Sequence, residues 1–143
     1  MSKSLSSPLD YPWPIIRLAD LYLCYAEVCV ETNDLAIAKE YLNKIRVRAG
    51  IPTVEESWEV IAGRTITQGL LRDIVRQERL VEFYLENQNF WDIRRWLLGD
   101  KFFNVKAKGM NISAGSLDDF VKIKLVVFER KFETPTQYLL PIP

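Results

Sequence analysis

The spacing of apolar side chains along the sequence predicts a chain built mainly of α-helices. The first predicted helix runs from about Pro14 to Glu31, because a proline suits a first helical turn. Its apolar residues recur three or four positions apart on one face: Ile15, Leu18, Ala19, Tyr22, Ala26 and Cys29. Further apolar residues occupy the other sides of this helix, which is typical of a helix buried on several sides.

A second predicted helix follows a polar turn at residues 32–34, with Asn33 or Asp34 as its N-cap. This helix runs to about Ala49, and Gly50 suits its C-cap. Its apolar stripe alternates steps of three and four: Leu35, Ala38, Leu42, Ile45 and Ala49. Two helices joined by so short a turn pack antiparallel as a helical hairpin.

This predicted hairpin has the spacing of one tetratricopeptide repeat. Ala26 lies where the repeat places a small residue for close helix approach, and Ala38, Leu42 and Ile45 follow at the expected offsets. The expected fold class is therefore mostly α, with tetratricopeptide-like antiparallel helix pairs.

Two more helices are predicted after a connecting segment, residues 53–63, that contains Trp58. The third helix runs from about Thr67 to Glu86, and a short fourth helix from Phe90 to Leu98 is closed by Gly99. The apolar face of the third helix consists of Leu71, Ile74, Val75, Val81 and Leu85.

The C-terminal part of the chain changes in character and predicts a small irregular β and loop segment. Residues 104–116 are polar and predict a loop, whereas residues 120–132 are rich in β-branched and aromatic side chains and predict one or two short strands. The prolines of residues 135–143 predict an extended end. Together with a loose N-terminal tail over residues 1–13, this gives a single helical domain over residues 14–143.

Composition narrows the possible functions. Lys and Arg together number 19, as do Asp and Glu, so the zero net charge favours neither nucleic acid nor an anionic membrane as a partner. The chain has no histidine, the commonest general base and a frequent metal ligand, and we expect no metal and no cofactor. No apolar run reaches the roughly 18 residues of a membrane span.

A column of carboxylates on the third helix is open to two interpretations. Glu78, Glu82 and Glu86 are four residues apart and share one helix face. Paired carboxylates are the catalytic groups of glycosidases. The alternative is a buried structural ion network, with arginines of the second or fourth helix as partners.

Three physical reasons favour the ion network. Carboxylates on one helix column share a face and cannot flank a scissile bond. Several arginines lie on the neighbouring helices, and arginine pairs bidentately with carboxylate. An unpaired buried charge would cost several kcal/mol. The sequence therefore predicts no catalytic residue and a structural network whose members are Arg46, Arg48, Glu78, Glu82, Arg94 and Arg95.

Four stretches of the chain, taken in order, resemble the C-terminal region of the SusD/RagB family. The stretches are RLADLYL at residues 17–23, running into YAE at 25–27; LNKIRVRAG at 42–50; IVRQERLVE at 74–82; and FWDIRRW at 90–96, with a late LLPIP at 139–143. The chain departs from the family at Asn87 and Asn89, where members commonly have glycine and arginine, so we expect a looser turn there.

The resemblance implies a function. Members of this family are non-catalytic, surface-exposed lipoproteins of the outer membrane in Bacteroidetes-type bacteria. They bind oligosaccharides or polysaccharides, act as a lid on a TonB-dependent transporter, and have a scaffold of tetratricopeptide-like helix pairs. Full members are several times longer, so we expect this chain to be a fragment that supplies the helical scaffold, with its ligand-binding residues not identified.

Two other hypotheses remain open from the sequence alone. The single repeat-like hairpin motivates a stand-alone tetratricopeptide-like module for protein–protein interaction, and a glycosidase would rest only on the carboxylate column. Trp58 is a candidate for stacking on a sugar because it lies in a connecting segment, but tryptophans more often fill cores, and we do not assign it to a site.

Overall fold

The computed structural model of the chain describes residues 14–122 and 124–139. The predicted tail at residues 1–13 and the last residues of the predicted extended end, 140–143, lie outside the described residues. The described residues are mostly helical, with a two-stranded antiparallel sheet toward the C-terminus, which confirms the predicted fold class. The chain divides into two compact units, Met1–Glu82 and Phe83–Pro143.

The first unit is built on three helices: α1 (Leu18–Glu31), α2 (Leu35–Arg48) and α3 (Gln68–Glu82). Helices α1 and α2 form the predicted hairpin, and α3 packs mainly against α1. Buried side chains of these helices form the core of this unit together with Val54 from the segment between α2 and α3. The helical members are Ala19, Leu23, Ala26, Cys29, Val30, Ala38, Leu42, Ile45, Leu71, Ile74 and Val75.

Helix α1 begins later than the sequence predicts. Arg17 is extended, with φ −112° and ψ 151°, and the helix starts only at Leu18. The predicted start at Pro14 was therefore wrong, and Ile15 is 86% exposed. The expectation that α1 is buried on several sides is also wrong for the described residues, because its side opposite the core exposes Leu21, Tyr25 and Val28.

The ends of helix α2 agree closely with the prediction. Asp34 is the N-cap, although its side chain makes no capping hydrogen bond, and Asn33 adopts a left-handed φ of 62°. Gly50 follows the helix with φ 70°, a conformation that glycine adopts without strain. The segment after it is more regular than predicted, because residues Glu56–Ile61 form one stretch of π-helix.

Helix α3 ends at Glu82, earlier than the predicted Glu86. Leu85 and Asn87 both adopt φ 68°, so the backbone leaves the helical conformation and the helical period does not continue. Leu85, which was assigned to the apolar face, is consequently 84% exposed. Val81 was also assigned to this face, but it is 63% exposed although it lies within α3. Arg79 is buried instead.

The second unit contains helices α4 (Gln88–Arg95), α5 (Gly99–Phe103) and α6 (Leu117–Lys122) and strands β1 (Ala107–Met110) and β2 (Lys124–Phe128). Strand β1 pairs antiparallel with β2, with Gly109 opposite Leu125 and a register shift between Ala107 and Lys108. A 3₁₀ turn spans Thr136–Tyr138.

Several local predictions for this second unit were wrong. The loop predicted at residues 104–116 contains β1, and residues 120–122 are helical although a strand was predicted there. Residues 136–138 turn where an extended end was predicted. Gly99 begins a helix and does not close one. The strand β2, by contrast, lies within the predicted range.

Phe132 is the centre of the aromatic core in the second unit. Its ring stacks on Phe103 at a centroid distance of 5.5 Å and meets Tyr138 edge-on at 4.8 Å. Gly99 lies against this ring so closely that a Cβ at position 99 would be 2.5 Å from two ring atoms. The Gly99 N–H also donates to the Tyr138 hydroxyl at 2.8 Å. A glycine is therefore required where α5 begins.

Candidate functional site

A deeply buried ion pair of the first unit joins α2 to α3. The Arg46 guanidinium donates through Nη1 to Oε1 of Glu78, and the two side chains are 7% and 14% exposed. Both residues belong to the network predicted from the sequence. Arg46 can occupy this site because it lies one position after Ile45, at the edge of the buried stripe of α2.

Arg46 also fixes the segment that follows α2. Its Nε donates to the carbonyl oxygen of Pro52 at 2.6 Å, and its Nη2 donates to the Ser57 hydroxyl at 2.8 Å. Its Cζ lies 5.2 Å from the centroid of the Trp58 ring, which is half-buried. One guanidinium therefore ties the π-helical stretch to the two helices, and Trp58 forms part of this structural contact.

Glu82, at the end of α3, binds two arginines. Its Oε1 accepts from Arg17 Nη1 at 2.8 Å, and both of its carboxylate oxygens accept from Arg48 Nη2, at 2.6 and 2.7 Å. Burial acts to raise the pKa of the Glu82 carboxyl, but the hydrogen bonds from Arg48 and Arg17 outweigh it, so the pKa lies below its ordinary value. Glu82 is therefore held as a carboxylate.

Sequence reasoning missed two arginines of this network. Arg17 reaches Glu82 from the start of α1 and also donates to the Glu82 main-chain oxygen at 3.1 Å. Arg79, only 3% exposed, pairs with Asp20 at 3.0 Å and donates to the sulfur of Cys24 at 3.2 Å. The sequence feature that could have identified both arginines is their position inside the stretches at residues 17–23 and 74–82, which carry the family resemblance.

Arg94 and Arg95 lie in the second unit and have local partners. Arg94 donates to the Phe90 carbonyl at 3.4 Å and its Cζ lies 3.5 Å from the centroid of the Phe90 ring. Arg95 pairs with Asp92 at 2.8 Å. Of the six predicted residues, the structure thus joins Arg46 with Glu78 and Arg48 with Glu82.

The geometry of the carboxylates favours holding helices together over chemistry on a substrate. Glu78 and Glu82 lie on consecutive turns of one helix, and each accepts from guanidinium groups that come from another element. Three further polar bonds extend the cross-linking: Gln68 to the Val30 carbonyl, Asn43 to Glu55, and the Val54 N–H to Asn43. Within residues 14–122 and 124–139, no cluster of three acidic or thiol side chains could hold a metal ion.

No helix among the described residues has the length and hydropathy needed to cross a membrane.

Comparison with known proteins gives a consistent result. A model of the SusD family matches residues 2–143. A SusD-like protein of Bacteroides ovatus is 32% identical over 97% of this chain, and SusD-like protein P25 of Formosa agariphila is 37% identical over 57% of it. The chain spans only 25% and 15% of the lengths of these two relatives.

Solved structures agree with these sequence matches. The selenomethionine form of BT4246 superposes with a TM-score of 0.72 and 32% identity, over 87% of this chain and 20% of that one. A SusD-like protein from Bacteroides fragilis superposes with a TM-score of 0.60 and 35% identity, over 71% of this chain and 18% of that one.

Proposed function

The chain belongs to the SusD family, and on that premise we propose that it is part of a non-catalytic glycan-binding and uptake protein of the bacterial outer membrane. Its role within that protein is to supply helical scaffold. The observation that carries the proposal is the family match over residues 2–143.

The ion network supports a scaffold role over an enzymatic one. A glycosidase needs two carboxyl groups that flank the scissile bond, about 5–10 Å apart, with at least one able to exchange a proton. Glu78 and Glu82 instead share one helix face, and the lowered pKa of Glu82 keeps it ionised. These carboxylates are suited to neutralising Arg17, Arg46 and Arg48.

The partners follow from the same premise. We expect an oligosaccharide or polysaccharide as ligand, a TonB-dependent transporter as protein partner, and a surface-exposed lipoprotein as the form in the cell. Because the chain covers a quarter of its Bacteroides ovatus relative, these properties are proposed for the complete gene product that contains the chain.

Calorimetry of the complete gene product against a panel of neutral and acidic oligosaccharides tests the function. We expect saturable binding to at least one glycan and no release of reducing sugar over prolonged incubation. A Glu78→Gln variant, assayed below its own melting temperature so that it is folded, serves as the control, because a glycosidase would lose activity in this variant whereas a binding protein would keep its affinity. A folded protein that binds no glycan, or that releases reducing sugar in a manner dependent on Glu78, would contradict the proposal.

The partner and the location are tested on cells. We expect the complete gene product to co-purify with a TonB-dependent transporter from outer-membrane extracts, and externally added protease to degrade it on intact cells. Protection from protease on intact cells that is lost on lysis would argue against surface exposure.

One observation favours the alternative, a tetratricopeptide-like protein–protein interaction module. The outward side of α1 exposes Leu21, Tyr25 and Val28, an apolar strip that another protein segment could cover. The gene sequence upstream of this chain discriminates the two functions. A signal peptide with a lipidated cysteine supports the outer-membrane protein, whereas a natural start at Met1 with further helical repeats supports the module.

A further inference from the structure

The second unit contains an open cavity of about 450 Å³ whose walls come from α4, α5, the end of β2 and the segment after it. Its size falls within the roughly 300–1,000 Å³ that is usual for small-molecule sites. All of its lining residues lie in residues 90–137, and none belongs to the ion network of the first unit.

Phenylalanines form the apolar wall of this cavity. Phe132 is 7% exposed and stacks on Phe103, which makes a rigid floor. Phe128 is 62% exposed, so its ring is available to a ligand. Phe90 is 39% exposed, and one face of its ring is covered by the Arg94 guanidinium, whose Cζ lies 3.5 Å from the ring centroid. Flat aromatic faces of this kind suit the apolar C–H faces of a sugar ring.

Two arginines at the cavity lack a carboxylate partner. Arg94 and Arg130 each donate only to a main-chain carbonyl, of Phe90 and Val105 respectively, and both bonds are 3.4 Å long. In the described part of the chain, neither guanidinium forms an ion pair. In the first unit, by contrast, Arg46, Arg48 and Arg72 all pair with a glutamate.

The other charged groups at the cavity are already neutralised. Glu129 accepts from Lys106 Nζ at 2.5 Å, and Lys131 pairs with Glu133 at 2.9 Å. The cavity therefore presents two unneutralised guanidinium groups beside exposed aromatic rings. An anionic ligand with an apolar face complements this combination of charge and surface.

We propose that this cavity binds a uronate residue of an acidic oligosaccharide, with the sugar ring against Phe128 and the carboxylate held by Arg94 and Arg130. The planar guanidinium fork matches a carboxylate with two parallel hydrogen bonds. The inference rests on the proposed glycan-binding function, which it deepens by naming the class of sugar.

Calorimetry with a homogeneous oligogalacturonate, and with its carboxyl-reduced counterpart of the same length, tests the proposal on the complete gene product. We expect the paired variant Arg94→Gln with Arg130→Gln to weaken binding of the acidic sugar about a hundredfold, at about tenfold for each lost charge-assisted contact. Carboxyl reduction should weaken binding to the unaltered protein by a similar factor, and the paired variant should add little to that loss.

Matched variants separate binding from folding. Arg64→Gln removes the same charge from an exposed arginine outside the cavity and should leave affinity unchanged. Phe128→Ala removes an exposed ring and should weaken the acidic and the reduced sugar equally. If the paired arginine variant fails to fold, its thermal melting shows this, and the Phe128→Ala and carboxyl-reduction results still decide.

Each outcome either supports or overturns the site. Two results would overturn the assignment of the binding site to this cavity while leaving the proposed function intact. One is equal affinity for the acidic and the reduced sugar. The other is glycan binding that neither the paired variant nor Phe128→Ala weakens. Preferential, arginine-dependent binding of a sulfated neutral oligosaccharide overturns the uronate assignment. A complete gene product that binds no glycan overturns both the proposed function and this inference.

Discussion

Replacing Glu78 by alanine should destabilise the first unit by leaving the Arg46 guanidinium buried without its carboxylate. The Arg46 side chain is 7% exposed and that of Glu78 is 14% exposed, so water replaces the lost partner poorly. Removing one partner of a buried ion pair costs about 3–5 kcal/mol. Arg46 keeps its bonds to the Pro52 carbonyl and the Ser57 hydroxyl, and we therefore expect the lower end, about 3 kcal/mol.

That loss is a large part of the stability of an ordinary domain, which is about 5–15 kcal/mol. Urea unfolding followed by far-ultraviolet circular dichroism measures it as a lower midpoint at an unchanged slope. The control is Glu40→Ala, which breaks the surface pair with Lys44 on α2. The Glu40 side chain is 62% exposed, so this control should cost no more than about 0.5 kcal/mol.

A double variant isolates the cause. In Arg46→Met with Glu78→Leu, both charges are replaced by apolar groups, and such replacements are often neutral or stabilising. Pro52 is exposed, so water can satisfy its carbonyl once Arg46 is gone. We expect most of the lost stability to return. A Glu78→Ala protein as stable as Glu40→Ala, or a double variant no more stable than Glu78→Ala, would refute the view that an uncompensated buried charge is responsible.

Three further substitutions give independent tests. Because the pKa of Glu82 is lowered in the folded state, its carboxylate stabilises the fold above the unfolded pKa of about 4.3, and this contribution is lost as pH falls through the folded pKa. Glu82→Gln should therefore lower the free energy of unfolding at neutral pH and make it depend less steeply on pH in the acid range. An unchanged dependence on acid pH would contradict this. Gly99→Ala would place a Cβ 2.5 Å from the Phe132 ring and should cost about 1–3 kcal/mol in thermal melting, whereas Gly115→Ala, with nothing within 4 Å, is the control. Leu85→Gly should raise stability by about 0.5–1 kcal/mol, since Leu85 is 84% exposed at φ 68°; the same change at Asn87 should gain less, because asparagine tolerates this conformation better, and an equal gain at both positions would show that side-chain strain is not the cause.

Features set by near neighbours in the sequence were predictable. The α1–α2 hairpin follows from apolar residues at helical spacing and from Gly50, whose left-handed φ of 70° closes α2. The start of α1 was not predictable, because Pro14 is a good local start signal while Arg17 is held extended and bonded to Glu82, 65 residues away. The need for a glycine at position 99 was not predictable for the same reason, since the Phe132 ring that requires it comes from far along the chain.

That arginines and glutamates pair in the candidate site was predictable from the sequence, whereas which arginine pairs with which glutamate was only partly predictable. Arginines and glutamates within or beside apolar stripes have to be neutralised, which identifies Arg46, Glu78 and Glu82 as a buried network. The sequence offers several arginines of equal chemistry, and only the packing selects Arg46 for Glu78 and Arg17 with Arg48 for Glu82. Arg79 was missed because its partner, Asp20, lies at the start of a helix where an acidic residue is unremarkable.

Strand β2 has a practical consequence for handling this chain. Its residues Leu125 to Phe128 are four apolar side chains in a row, all between 46% and 71% exposed. Short apolar β segments of this composition can stack between molecules into fibrils. The charged residues directly after it, at 129–131, oppose such stacking by repulsion and hydration. Replacing the three charged residues at 129–131 with neutral ones should therefore lower the concentration at which the isolated chain stays soluble.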